Sequence, residues 1–176
     1  MANPVKFKDF SMEVIAALDE AAIAWLDEAA KEVTSHAQRN CAMASEDDAG
    51  KRLKGSYTNM VDEGKGTATV GTPLEEGYWE EFGTGSHADT RKNGGKQGRQ
   101  GWWVYVKGQG PSPKVSAEYR DKDEAQAIAD SMRADGLDAY ATNGREPNYT
   151  LEKAFEANKN PLIARLNQLL KERMET

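Results

Sequence analysis

Apolar residues recur at helical spacing in two long segments of the chain, one near each end. Within residues 10–36 they follow one another every three or four positions, with charged residues between them. Residues 151–170 repeat the pattern, with Pro161 inside it. Because proline removes a backbone donor and clashes with the preceding turn, we expect a kink or a break near residues 158–160. The pattern predicts two long amphipathic helices.

Shorter segments between these helices have the composition of β-strands. Residues 53–61 and 67–72 are short runs containing Thr, Val and Tyr, and a glycine-containing turn sequence at 62–66 separates them. This arrangement predicts a β-hairpin. In residues 41–51 the apolar positions follow neither the helical nor the strand period, which indicates a linker or a fraying helix end.

An aromatic segment follows the hairpin. Tyr78, Trp79 and Phe82 are spaced about one helical turn apart, which predicts a short helical turn anchored in the core by these rings. We expect Gly83 and Gly85, which follow, to adopt backbone angles that are closed to other residues. The acids of this segment are interpreted as a solvated rim around the rings, with Glu81 capping or pairing locally. These acids are Glu75, Glu76, Glu80 and Glu81.

A second pattern of strand, helix and strand is predicted at residues 115–142. Asp121 is placed to cap a helix that begins at Lys122, with Glu124 three residues after the cap, and Gly136 ends that helix. The unit resembles half of the repeat in sporulation-related peptidoglycan-binding domains. As a structural insertion it needs no ligand.

The length of 176 residues fits one domain, residues 1–176. The pattern predicts an α+β fold, in which two long amphipathic helices pack on a small, mainly antiparallel sheet, with an inserted strand–helix–strand elaboration. The expected helix-to-sheet core consists of Trp25, Leu26, Phe155, Leu162 and Leu166.

Charge is distributed unevenly along the chain. The formal net charge is −6, but residues 86–114 contain six basic residues and one acid, a local charge of +5 that leaves −11 for the rest. We expect residues 86–142 to form a long insertion, which consists of a basic glycine-rich loop (86–114) and the βαβ-like unit (115–142). Such a loop would be mobile unless something pins it. The acidic total argues against a generic nucleic-acid binder.

Candidate chemistry is sparse. His36 precedes Cys41, but a histidine at a helix C-terminus is favoured electrostatically without any catalytic role. His87 and Asp89 are too few for a metal site, and no CxxC, HExxH or complete Walker A sequence is present. The sequence predicts no catalysis and no cofactor or metal. No apolar run is long enough to span a membrane, and the lone cysteine indicates a reducing compartment.

The basic loop is the candidate interaction surface. Cations position phosphates and aromatic rings stack on bases, so a peptidoglycan- or nucleic-acid-binding module that uses residues 91–107 is an alternative function. The alternation across residues 102–106 suggests that one tryptophan faces a core. The candidate residues are Arg91, Lys92, Lys96, Arg99, Trp102 and Trp103.

The order of these elements resembles the tail-completion, or head–tail joining, family of long-tailed bacteriophages. A long N-terminal helix and a hairpin lead through Val70-Gly71-Thr72 to the signature segment Tyr78-Trp79-Glu80-Glu81-Phe82-Gly83-Thr84-Gly85. The resemblance covers about residues 10–85 and 143–172. Two features depart from the family pattern. Asn148-Tyr149-Thr150-Leu151 replaces the usual "Pro-x-Pro-Phe-Leu", and the loop after the signature is unusually long.

The resemblance implies a structural role. Family members are minor tail or neck components, small α+β proteins that form rings at the neck or the head-proximal end of the tail tube, and no catalytic residues carry over. The resemblance implies self-association, contacts with a connector or tail-tube protein, and passage of DNA through the lumen without specific binding. It places the protein in the virion, after synthesis in the bacterial cytoplasm, with no membrane partner.

Overall fold

The computed structural model describes residues 11–42, 48–95, 98–107, 118–119 and 121–174. These residues have an α+β fold. The helices are α1 (Ser11–Asn40), α2 (Asp48–Ser56), α3 (Glu75–Phe82), α4 (Lys122–Ala134) and α5 (Thr150–Met174). The strands are β1 (Thr58–Asp62), β2 (Thr67–Gly71), β3 (Thr84–Gly85), β4 (Trp103–Val106), β5 (Ala139–Thr142) and β6 (Gly144–Arg145). They pair antiparallel as β1–β2, β3–β6 and β4–β5.

The two long helices, α1 and α5, pack against each other. The predicted break at residues 158–160 is wrong, because α5 runs without interruption through Pro161. Contacts with α1 hold the helix on both sides of the proline. Before it, the Asn158 side chain bonds to His36 Nδ1 at 2.8 Å, and after it the Trp25 indole donates to the Leu162 carbonyl at 2.8 Å.

The predicted hairpin is confirmed, with Thr58 opposite Gly71 and Asp62 opposite Thr67. The expected first strand nevertheless begins too early, because residues 53–56 belong to α2, and the linker expected at 41–51 already contains the start of that helix. Leu53 is completely buried, so its side chain is better satisfied on a helix that faces the core than on an exposed hairpin.

The main core lies between α1, α2 and α5. It consists of Val33, Ala37, Cys41, Leu53, Tyr57 and Ala154, with Val70, Leu74, Leu151 and Leu162 packed against it. The expected core is therefore partly wrong. The Phe155 side chain is 51% exposed, and Trp25, Leu26 and Leu166 are half-buried. Buried alanines let α1 and α5 approach closely, which leaves these larger side chains at the edges of the contact.

The insertion has a hydrophobic cluster of its own, formed by Val104, Val106, Ala129 and Ala139. Strand β4 lies in the middle of this unit. Trp102, just before β4, forms a single antiparallel bridge with Tyr119 on one side, and β5 pairs with β4 on the other. Helix α4 therefore connects this bridge to β5, which resembles a split βαβ arrangement. Asp121 caps α4 as expected, accepting from the Glu124 amide at 3.0 Å. The rest of the predicted first strand, residues 115–117, lies outside the described residues.

Candidate functional site

The signature segment forms a joint between α3 and the β3–β6 ladder. Gly83 ends α3 with φ +73°, and Gly85 has φ +61°, which confirms the prediction for both glycines. A Cβ atom on Gly83 would lie 2.6 Å from the Arg145 carbonyl oxygen, and one on Gly85 would overlap the Asn143 carbonyl. Thr84 lies between them and pairs with Arg145 in the ladder. Its hydroxyl oxygen accepts a hydrogen bond from the Arg145 amide at 3.1 Å. The chain passes too close to itself here for any side chain at either glycine.

Glu81 caps the N-terminus of α5. Its two carboxylate oxygens accept the backbone amides of Leu151 at 2.7 Å and Glu152 at 3.0 Å. A helix N-terminus carries unsatisfied amides and partial positive charge, so a buried carboxylate is stabilised there. Glu81 is only 7% exposed. The expectation of a solvated acidic rim is therefore wrong at this position, and the capping partner lies far along the sequence and not nearby.

Glu80 joins three parts of the chain and is completely buried, which contradicts the same expectation. One carboxylate oxygen, Oε1, accepts the Ala42 amide at 2.7 Å, the Asn148 side-chain amide at 2.9 Å and the Thr150 hydroxyl at 3.2 Å. The Arg145 guanidinium lies 3.6 Å from the other oxygen. Glu80 thus connects the residues after α1 with β6 and the start of α5.

The aromatic side chains of the signature are not in the core, so that prediction is wrong. Tyr78, Trp79 and Phe82 are half-buried, and Tyr78 meets the other two rings edge to face at 5.0 and 5.1 Å. The inward face of α3 is occupied by Glu80 and Glu81, because the buried amides of α5 require acceptors. The rings instead cover the basic loop: the Tyr78 hydroxyl donates to the Asn93 carbonyl at 2.9 Å.

The start of the basic loop is pinned to the start of α5. Tyr149, which has φ +52°, donates its hydroxyl to Asp89 at 2.8 Å, and the Lys92 ammonium lies 2.6 Å from Glu152. The hydrogen bond from Tyr149 lowers the pKa of Asp89, and the bond to Glu152 raises the pKa of Lys92. Residues 86–95 are therefore held by the body of the protein.

The structure does not gather the candidate loop cations into one patch. Arg91 is exposed, 3.5 Å from Asp89, and Lys92 pairs with Glu152. The Arg99 guanidinium lies 5.7 Å from the centroid of the Trp103 ring. Lys96 lies outside the described residues.

Trp102 and Trp103 point to opposite faces of the small sheet. Lys122 of α4 lies 5.9 Å from the Trp102 ring, so Trp102 is on the helix side, as the alternation of residues 102–106 predicts. Trp103 is on the open side, where Tyr105 and Tyr140 accompany it; these last two are opposite each other in the β4–β5 ladder. We name these three side chains the aromatic sheet face. Tyr105 and Tyr140 were not predicted as site residues, although their alternation with apolar neighbours was a usable signal.

The aromatic sheet face opens onto a cavity of about 730 Å³ between the insertion and the signature joint. Trp79, Thr84 and Arg145 form the opposite wall. A Cβ atom on Gly98 would lie 3.2 Å from the Trp79 ring, so the basic loop passes directly over this tryptophan. The cavity thus brings a signature residue together with the insertion.

A second cavity, of about 420 Å³, lies between α1, the β1–β2 hairpin and α5. Its walls are mainly apolar, and the exposed rings and aliphatic chains of α5 stand at its rim. They include Phe155 and Ile163. Four of the five residues expected to fill the core therefore form the wall of an open groove: Trp25, Leu26, Phe155 and Leu162.

The two histidines are engaged in structural contacts. His36 bonds to Asn158, and His87 Nδ1 lies 2.6 Å from Glu146. Within the described part of the chain, no group of three or more His, Cys, Asp or Glu side chains is placed to hold a metal ion. No helix among these residues is long and apolar enough to cross a membrane. No family model, curated protein or solved structure matches this chain.

Proposed function

We propose that this chain is a virion structural protein, one subunit of a ring at the head–tail junction of a long-tailed bacteriophage. The structural contacts of the signature segment support the proposal. Glu81 caps α5, Gly83 and Gly85 permit a close crossing of the backbone, and Tyr78 holds the basic loop. All three contacts stabilise the fold, as expected of a structural subunit. They are made by the residues that carry the family resemblance.

A closed ring needs two different, complementary surfaces on each subunit. Helix α1 provides an acidic one, with Asp19 and Glu20 both exposed. The basic loop provides the other, because the Arg91 side chain is 91% exposed and residues 86–114 carry +5. In the proposed ring, the basic loop of one subunit docks on α1 of the next, while the connector and the tail tube contact the two rims.

The ring lets DNA pass without specific binding. A chain with a net charge of −6 repels phosphates when acidic side chains outside the subunit contact line the lumen, so the duplex moves without being held. Catalysis has no part in this role.

Deletion of the gene from the phage that encodes it tests the proposal. We expect filled heads and complete tails to accumulate separately in the lysate, and supply of the wild-type chain in trans to restore joined particles. A matched variant, Lys171→Ala at an exposed site near the end of α5, should restore them equally well. Joined, infectious particles in the absence of the chain would contradict the proposal.

A further inference from the structure

The aromatic sheet face has the geometry of a stacking platform. Trp103 and Tyr105 are two residues apart on β4, so both side chains leave the same face of the sheet about 7 Å apart. Tyr140 of β5 is directly opposite Tyr105. Tyr105 is 43% exposed and Tyr140 is 47% exposed. A row of exposed rings on a sheet is the arrangement by which some RNA-binding domains stack successive unpaired bases.

Three basic residues lie near these rings. The Arg99 guanidinium lies near Trp103, Arg145 lines the same cavity, and Lys107 is exposed at the end of β4. Negative charge is also present. Arg145 lies 3.6 Å from the buried Glu80, Glu118 accepts a hydrogen bond from the Gln100 amide at 3.4 Å beside Arg99, and Asp138 raises the pKa of the Tyr140 hydroxyl. Arg99, with its guanidinium 5.7 Å from the centroid of the Trp103 ring, is the cation placed to meet a phosphate of a strand that stacks on this face.

We propose that the aromatic sheet face binds single-stranded nucleic acid, with bases stacked on Trp103, Tyr105 and Tyr140 and a backbone phosphate near Arg99. The charge selects this ligand over a neutral glycan, which would also stack on aromatic rings but gains nothing from the cations. Stacking selects a single strand over a duplex, because bases inside a duplex are already stacked on one another. The proposal does not depend on the ring at the head–tail junction.

Fluorescence anisotropy with the full-length protein tests this binding. The probe is a labelled oligothymidylate of about 20 nucleotides, which is longer than a typical site on one such domain. We expect it to bind at least about tenfold more tightly than the same strand paired with oligoadenylate. Chitohexaose, a neutral glycan, should not displace it.

Variants of the rings identify the site. Tyr105→Ala and Tyr140→Ala should each weaken binding by about 5- to 150-fold, the usual cost of losing one stacked ring. Tyr105→Phe and Tyr140→Phe should bind like the wild type, because stacking needs the ring and not the hydroxyl. Phe155→Ala removes an exposed ring of α5 outside the face and is the matched control, with no change expected.

The salt dependence tests the role of Arg99 separately. Removing one phosphate contact lowers the slope of log K against log salt concentration by about 0.7 for a single strand. We expect this change for Arg99→Ala and none for Lys171→Ala. If the alanine variants of the tyrosines do not fold, as circular dichroism would reveal, the preference for the single strand over the duplex and the salt slope of Arg99→Ala still decide the question.

The proposal would be overturned by binding of duplex as tight as that of the single strand, by unchanged affinity in folded Tyr105→Ala and Tyr140→Ala, or by displacement by chitohexaose. The last result would assign the face to a glycan. Absence of oligothymidylate binding up to about 100 µM, the weak end of non-specific binding, would also overturn it.

Discussion

At the scale of single residues, the signature depends on its carboxylates more than on its rings. The sequence analysis could predict the positive φ angles of Gly83 and Gly85, because glycine is the usual residue in that region. It could not predict that Glu80 and Glu81 turn inward. Their partners, such as Asn148 and Leu151, lie about 70 positions away in the sequence, and a helix of eight residues is too short to reveal its buried face by periodicity.

Replacing Glu81 by glutamine tests the cap directly. The variant keeps the shape but loses the charge that α5 requires, so we expect the free energy of unfolding to fall by about 1–2 kcal/mol in urea titrations. Glu75→Gln, at an exposed position in the first turn of α3, is the matched control and should change stability by less than about 0.5 kcal/mol. Equal effects of the two substitutions would show that the Glu81 cap contributes nothing specific.

Asp89 should make the stability depend on pH. Because Tyr149 donates to its carboxylate, the pKa of Asp89 is lower in the folded state than in the unfolded state. Its contribution is therefore complete above the unfolded pKa of about 3.9 and is lost as the pH falls through the folded pKa.

Urea unfolding of the wild type and Asp89→Asn from about pH 3 to about pH 6 measures this effect. The difference in stability between the two proteins should be largest at the upper end of this range and should shrink as the pH falls below about 4. Tyr149→Phe removes the hydroxyl that donates to Asp89, so the stability of this variant should depend less on pH than that of the wild type. A difference that stays constant with pH would contradict the assignment.

At the scale of elements, segments with a clear apolar period or a turn signal were predictable, and segments without one were not. The pattern predicted α1, the β1–β2 hairpin and α4 with its Asp121 cap. It missed α2, because nine residues with one fully buried side chain, Leu53, offer no period to detect. It also predicted a kink or a break near residues 158–160, and the break does not occur because α1 holds α5 on both sides of Pro161.

The joint between β3 and β6 should tolerate no side chain at Gly85. In Gly85→Ala, the new methyl group would overlap the Asn143 carbonyl at a positive φ angle, so we expect a loss of at least about 2 kcal/mol in chemical denaturation. Gly55→Ala is the control, because Gly55 lies within α2 with open space around it. That substitution should stabilise the protein by about 0.5–1 kcal/mol. A Gly85→Ala variant as stable as the wild type would mean that the ladder can shift to accept a side chain.

At the scale of the whole molecule, the proposed ring depends on two surfaces of opposite charge on each subunit, the basic loop and α1. The sequence predicted the uneven charge, but it could not predict that part of the basic loop is neutralised within the subunit. Lys92 pairs with Glu152 on α5, and this contact depends on the fold. Arg91 remains the most exposed of the described loop cations that form ion pairs.

A charge exchange between subunits tests the proposed contact. Arg91→Glu should weaken assembly, because it sets two acidic surfaces against each other. The double substitution Asp19→Arg and Glu20→Arg should weaken it as well, and the three changes combined should restore it. Assembly is followed by the yield of joined particles in complementation. If the combined variant is no better than Arg91→Glu alone, these two surfaces do not meet.

The proposed ring at the head–tail junction should be visible in intact phage particles. Cryo-electron microscopy of intact particles from the phage that encodes the chain tests it most directly. We expect a rotationally symmetric ring in the neck, or at the head-proximal end of the tail. Helices α1 and α5 and the insertion should fit its density, and the basic loop should lie against α1 of the adjacent subunit. Particles whose neck and tail are fully explained by other proteins, with no density for this fold, would contradict it.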